Sequence, residues 1–160
     1  MDMKELVLAI ILSILPISEL RGGLPVAINY ALKNNISIWP IFLLILFFNV
    51  IVIFFIFFFL DYLHKHFMKL ALYRRVFGYF LMRARKKADK VEAQIGLLGF
   101  LALTVFVAVP LPLTGAWTGC LIAWILGLDR KKSILSISLG VLIAGLIVLA
   151  VSYGVLSLWY

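Results

Sequence analysis

The sequence predicts an all-α integral membrane protein built as an inverted-topology repeat, each unit a re-entrant helical hairpin followed by a transmembrane helix. Three observations carry this expectation. The 160 residues are 65% hydrophobic and 14% charged, whereas a soluble domain is about 45–50% apolar and about 25% charged. A shift of 96 residues lays Pro16-Ile17-Ser18 on Pro112-Leu113-Thr114, Gly23 on Gly119, Ala27 on Ala123, Ala31 on Gly127 and Ser37-Ile38 on Ser133-Ile134 without a gap. A polar stretch, Pro16 to Pro25, breaks an otherwise apolar segment near the N-terminus. One membrane domain therefore covers 1–160: a first unit at 1–64, a connector at 65–96 and a second unit at 97–160.

The first unit opens on Leu6 to Leu15, which has the length of a signal-peptide core. Asp2, Lys4 and Glu5 give it no positive leader and no Ala-x-Ala site follows, so no cleavage is expected. Leu6–Leu15 and Val26–Leu32 flank the polar stretch without a charge. At ~1.5 Å per residue they cover about 15 and 11 Å, half or less of a ~30 Å hydrocarbon core. They are expected to dip into the membrane and return. Irregular backbone at that depth must be buried in protein or line a polar cavity. Ile38 to Leu60 then runs without a charge, interrupted by Pro40 and Asn49, and is long enough to span with some tilt. In the second unit, Gly96 to Leu128 holds the corresponding hairpin around Pro110–Gly115, and Ser133 to Leu158 is the second long helix. Trp39, Trp159 and Tyr160 stand at segment ends, as in an interfacial aromatic belt.

The connector alternates apolar positions (Leu63, Phe67, Leu70, Phe77, Leu81) with basic ones. It reads as a cytoplasmic amphipathic helix on the leaflet surface. A second basic cluster, Arg130-Lys131-Lys132, follows the second hairpin, while the loop after the first holds Lys33. Re-entry puts both basic segments on one side of a multi-pass protein of the cell membrane. By the positive-inside rule the connector and loop 129–132 are cytoplasmic and both termini lie outside. The net charge of +8 is thus a matter of membrane topology, and no nucleic-acid partner is expected. Membrane lipids are the expected surroundings. Because two hairpins and two long helices enclose little volume, a homodimer is expected. Stripes of small residues every four positions (Gly23, Ala27, Ala31; Gly115, Gly119, Ala123, Gly127; Ser136, Gly140, Ala144) predict close helix packing.

Glu19 and Arg21 are the strongly charged side chains expected inside the membrane, where either one unpaired costs at least ~2.5–3.5 kcal/mol on insertion scales. Arg21 is assigned to an anionic headgroup and Glu19 to a coupling ion, H+ or Na+; the alternative role for both is a static ion pair or carbonyl clamp holding the turn. Gly22, Gly23 and Pro25 let the backbone bend there. Pro25 fits the first turn of the returning helix, whose free amides would form an anion seat beside Arg21. Ser18, Asn29, Asn49, Pro112, Thr114 and Gly115 complete the candidate lining, with Asn29 and Asn49 equally suited to bridging helices. No phosphate-binding loop, metal-ligand spacing or nucleophile elbow is found. Neither enzyme chemistry nor a metal or organic cofactor is expected.

Ser18 to Pro25, with Val109 to Gly119 in the second unit, resembles the small multidrug export proteins of prokaryotes over nearly the whole chain. The resemblance implies a fold similar to the DedA superfamily, with opposed re-entrant hairpins and membrane-embedded acidic and arginine residues, and with lipid-phosphate flipping driven by ion gradients. It carries over to Glu19 and Arg21. At the equivalent positions of the second unit stand Gly115 and Trp117, where DedA proteins often carry charge. Three functions follow as expectations: ion-coupled movement of an anionic or lipid-linked phosphate, export of hydrophobic cations, or a passive lipid scramblase or scaffold.

Overall fold

The structure, a computed structural model, describes residues 3–67, 96–111 and 114–158. Most of the amphipathic connector, the candidate residue Pro112, and the end aromatics Trp159 and Tyr160 lie outside the described residues. Those described form six helices and no strand. They are α1 (Met3–Ile14), α2 (Glu19–Lys33), α3 (Ile38–Phe67), α4 (Gly96–Ala108), α5 (Ala116–Leu126) and α6 (Arg130–Leu156). The order is short, short, long, and then short, short, long again.

α3 and α6 are long and apolar enough to cross a bilayer, and less than half of the most apolar stretch of either is buried inside the protein. Phe47, Phe54, Phe55 and Phe58 of α3 and Ile143, Leu146 and Ile147 of α6 point outward. A soluble core helix would bury such residues; a membrane protein leaves them to lipid. The two long helices run antiparallel. Arg130 at the start of α6 meets Asp61 near the end of α3, and Gly145 lies beside Phe42 and Leu20.

Local chemistry sets the breaks. Pro16 has no N–H to continue α1, so the Leu12 carbonyl loses its helical donor; the Ser18 hydroxyl donates to it instead, at 2.6 Å. The chain then reverses at Glu19, whose φ of 48° lies in the left-handed region that few non-glycine residues occupy. α2 begins there, with the Gly22 N–H on the Ser18 carbonyl. This corrects the expected position of the break. The polar turn is Leu15–Ser18, and Gly22, Gly23 and Pro25 are inside α2, Pro25 well past its first turn.

α1 and α2 form an antiparallel pair, with Lys33 on Glu5 at 2.9 Å at their far ends. Gly23 permits the approach, since a Cβ there would strike the Ala9 carbonyl and Ser13. The pair extends to the middle of α3, where the Asn49 amide donates to the Ser13 carbonyl at 2.8 Å. α5 takes the other half of α3: Cys120 lies against the Ile53 carbonyl and Trp124 reaches Asp61. α4 packs on α5 and α6 through Gly119 and Gly140, where an added Cβ would crowd Val107. Thr104 and Ser136 share a buried hydrogen bond of 2.9 Å between α4 and α6.

The small-residue stripes are buried apart from Gly127. That residue instead ends α5 as its left-handed cap, with φ 68°, the conformation glycine adopts at least cost.

Candidate functional site at the meeting of the two turns

The end of α1 leaves carbonyls without helical donors, and side chains from three different elements satisfy them in sequence. Ser18 takes Leu12, Asn49 of α3 takes Ser13, and the indole N–H of Trp117 in α5 takes Ile14 at 3.0 Å. Irregular backbone inside an apolar protein requires this kind of full satisfaction.

The second break is held from the first unit. The Arg21 guanidinium donates to the carbonyl of Leu111, to that of Val109 at 3.1 Å and to the Thr114 hydroxyl at 3.0 Å. The same hydroxyl lies 2.7 and 2.8 Å from the carbonyls of Val109 and Leu111, tightening the turn. Trp117 stands where Arg21 stands once the chain is shifted by 96 residues. Each donates to carbonyls that end the first short helix of the other unit.

Glu19 crosses in the same direction. Its buried carboxylate accepts from the backbone N–H groups of Ala116 at 3.2 Å and Trp117 at 3.1 Å. These are the first amides of α5, which helix geometry leaves without partners and which carry the positive end of the dipole. Gly115 makes room: a Cβ there would fall on the Glu19 carboxylate. Glu19 and Gly115 are themselves 96 residues apart, so equivalent positions of the two units are in contact.

Two expectations need correction. Glu19 and Arg21 are not each other's hydrogen-bond partners; both reach into the second unit, so the clamp holds the opposite turn rather than its own. The helix start expected at Pro25 is not there, since Pro25 lies inside α2, and the helix-start amides that hold a carboxylate are those of Ala116 and Trp117 in α5.

Of the predicted lining, Glu19, Arg21, Thr114 and Gly115 converge. Ser18 and Asn49 serve the end of α1. Gly22 lies against Ser18 and Gly23 against α1. Pro25 is within α2. Asn29 lies ten residues along α2 from Glu19, about 15 Å at 1.5 Å per residue. Sequence reasoning missed Val109, Leu111, Ala116 and Trp117, which take part mainly through backbone groups. The 96-residue shift does set Trp117 opposite Arg21, but nothing in that pairing announces its indole bond to the Ile14 carbonyl.

A second polar cluster also went unnoticed, at the far end of α5. The Asp61 carboxylate accepts from the Trp124 indole at 2.9 Å and from the Arg130 guanidinium at 2.6 Å. Beside it lies a cavity of about 330 Å³ lined by Phe57, Asp61, Ala123, Trp124, Gly127, Leu128 and Arg130.

Residues 19–147 match the family model described as "Putative small multi-drug export protein". The chain belongs to this family. The match starts at Glu19 and takes in every contact between the two turns on the α2, α4 and α5 side, together with the Asp61 cluster. The family is named for export rather than for a reaction, and it agrees with the apolar, outward-facing long helices in making this a membrane protein. No curated protein and no solved structure matches the chain.

Proposed function

We propose that this export-family protein is a transporter that moves an anionic or lipid-linked phosphate substrate past the meeting of two opposed re-entrant hairpins, coupled to an ion gradient. In this reading the two units are related by inverted topology. The Arg130 end of the bundle is cytoplasmic, the Lys33 end faces out, and the protein works as a homodimer in the membrane.

The observation that carries the reading is the Glu19 carboxylate on the Ala116 and Trp117 amides, with Arg21 on the adjoining turn. Helix N-termini bind phosphates and carboxylates, and here the protein's own carboxylate fills such a seat. Protonating Glu19 removes the resident negative charge. An anionic headgroup can then take the two amides, with Arg21 turning from the Val109 and Leu111 carbonyls to meet it. Loss of the proton returns Glu19 to the seat and expels the substrate. Proton and substrate exchange is thereby linked at one place, which is the requirement for coupling. The reciprocal bonds of Arg21 and Trp117 support the inverted relation, since each unit closes the break of the other. Transporter sites form where discontinuous helices of two repeats meet near the midplane.

The test is transport of a fluorescent phosphate-bearing lipid into proteoliposomes under imposed gradients. Arg21→Ala should abolish it, and Glu19→Gln should remove its dependence on the proton gradient. Transport that follows a sodium gradient instead would reassign the coupling ion. Should Arg21→Ala spare export of a hydrophobic cation that Glu19→Gln abolishes, the second reading, drug-cation export suggested by the family's description, takes precedence. Lipid movement that survives collapse of both gradients would make the protein a scramblase, and no movement of either substrate would leave a scaffold.

A further inference from the structure

The contacts of α1 and α2 with the two long helices fix how deep the turns lie. Asn49, which donates to the Ser13 carbonyl at the end of α1, is the central residue of the uncharged run from Ile38 to Leu60. Gly145, beside Leu20 at the start of α2, is as central to the run from Ser133 to Leu158. Both long helices therefore meet the first turn at their midpoints. Arg21 holds the second turn against the first through the Val109 carbonyl and the Thr114 hydroxyl. With α3 and α6 spanning, both turns lie about half-way through the hydrocarbon.

Part of this meeting point is open. Leu15, Pro16 and Ile17 of the first turn and Val109, Pro110 and Leu111 of the second are exposed, Ile17 to 97%. The two exposed strips belong to turns that touch, through Arg21 and through Trp117 on the Ile14 carbonyl. Arg21 itself is not fully buried. The outward faces of α3 and α6 are a different case, because their backbone is helical and their side chains are apolar, so lipid can cover both. Here the backbone is broken and a guanidinium lies beside it. Irregular backbone at such depth is tolerated only against protein or a water-filled cavity, and a basic group at the bilayer centre is costly.

The exposed side chains are themselves apolar, which makes water a poor cover. The connector is a poor one too. Its flanking residues, Phe67 and Gly96, lie at the Arg130 end of the bundle. Asp61 brings α3 to that end, and α4 runs parallel to α6, with Phe100 on Ser136 and Val107 beside Gly140. Both flanks are thus half the hydrocarbon away from the turns, and the sequence between them is strongly basic from Lys69 to Lys90. The occupant has to offer apolar side chains at mid-depth while shutting out lipid and water. The same face of a second copy meets that requirement, since a two-fold axis sets identical patches against each other. Arg21 bonds within its own chain, so the axis brings apolar side chains together rather than guanidinium groups.

We propose that the face carrying Ile17 and Leu111 is the joint of a two-fold homodimer, and that the turns of each copy roof the Arg21 clamp of the other. The site is then incomplete in a single chain, and a headgroup that reaches Arg21 is enclosed between two copies. The inference rests on the re-entrant reading proposed above, to which it adds the face where the copies meet.

The experiment is cysteine cross-linking of the full-length protein in liposomes at low protein-to-lipid ratio. Cys120, the one native cysteine, is buried and is replaced by alanine to give the blank. If Cys120→Ala fails to fold, the parent with its buried thiol serves instead. Ile17→Cys and Leu111→Cys are placed in that background, with Phe54→Cys on the outward face of α3 as the comparison. Copper phenanthroline and a short bis-maleimide should each convert most of the Ile17→Cys and Leu111→Cys chains to a species of twice the mass, and leave Phe54→Cys and the blank as single chains. Cross-linking of Phe54→Cys as readily as Ile17→Cys, or no cross-link at either turn, overturns the proposal. So does rapid reaction of Ile17→Cys with a membrane-impermeant sulfonate thiol reagent, which would mean a water-filled cleft. No substrate is involved, so a negative transport assay leaves a positive cross-link standing. A joint through another face would in turn leave the transport reading intact.

Discussion

Gly115 shows how much a single position decides. A methyl group there falls on the Glu19 carboxylate, so Gly115→Ala must drive Glu19 off the Ala116 and Trp117 amides. The substitution should lower the thermal stability of the purified protein. A second change, Glu19→Ala, removes the collision, so the double variant should lose less than the sum of the single losses. Residues in contact commonly show couplings of about 0.5–3 kcal/mol, and melting of the four proteins in one detergent would measure it. Simple additivity would mean that the carboxylate and Gly115 do not share the space. At this scale the sequence was partly legible. Glu19 and Arg21 stood out because charge is rare in apolar sequence. Their partners did not, because Val109, Leu111, Ala116 and Trp117 contribute carbonyls and amides, which every residue has. Asp61 was overlooked because it ends an apolar run, where a charge looks ordinary. Its link to Arg130 is visible once α3 and α6 are known to be antiparallel, since the two residues stand at the ends that come together.

Helix lengths were read more reliably than helix boundaries. Composition alone distinguished short apolar segments from long ones, and all six described helices follow that division. The misplaced element was the start of α2. Two glycines and a proline argue for a break, yet the chain keeps all three in the helix. The reason is tertiary: Gly23 lets α1 lie against α2, and tertiary packing outweighs intrinsic propensity. Pro16, by contrast, ends its helix as its chemistry dictates. The lengths also bear on membrane placement. α1 and α2, with 12 and 15 residues, extend about 18 and 22 Å at ~1.5 Å per residue, short of a ~30 Å core. Hence the loop at 34–37 and the N-terminus should label from the same face. In spheroplasts carrying one introduced cysteine, Asn35→Cys and Asp2→Cys should both react with an impermeant maleimide, and Lys131→Cys should react only after permeabilisation. Reaction of Asn35→Cys and Asp2→Cys from different sides would dismiss the re-entrant reading.

At the scale of the whole molecule, the two units hold each other shut: what ends α1 is completed by α5, and what ends α4 is completed by α2. The 96-residue correspondence suggested the division in the sequence, and the described helices run short, short, long on either side of it. What the division could not convey was that equivalent positions touch, because contact is a property of how two units face each other. The mutual closure bears on biosynthesis. When the ribosome has made the first unit, Glu19 has no amides to accept from and the Ile14 carbonyl has no indole; their partners at Ala116 and Trp117 have still to be translated. A carboxylate stranded in lipid is costly, so the N-terminal pair should wait at the interface, or with the insertion machinery, until α5 emerges. A chain stopped after residue 96 should therefore remain extractable from membranes at alkaline pH or be degraded, while the full chain resists extraction. The nascent protein thus cannot settle its first two helices before its fifth exists.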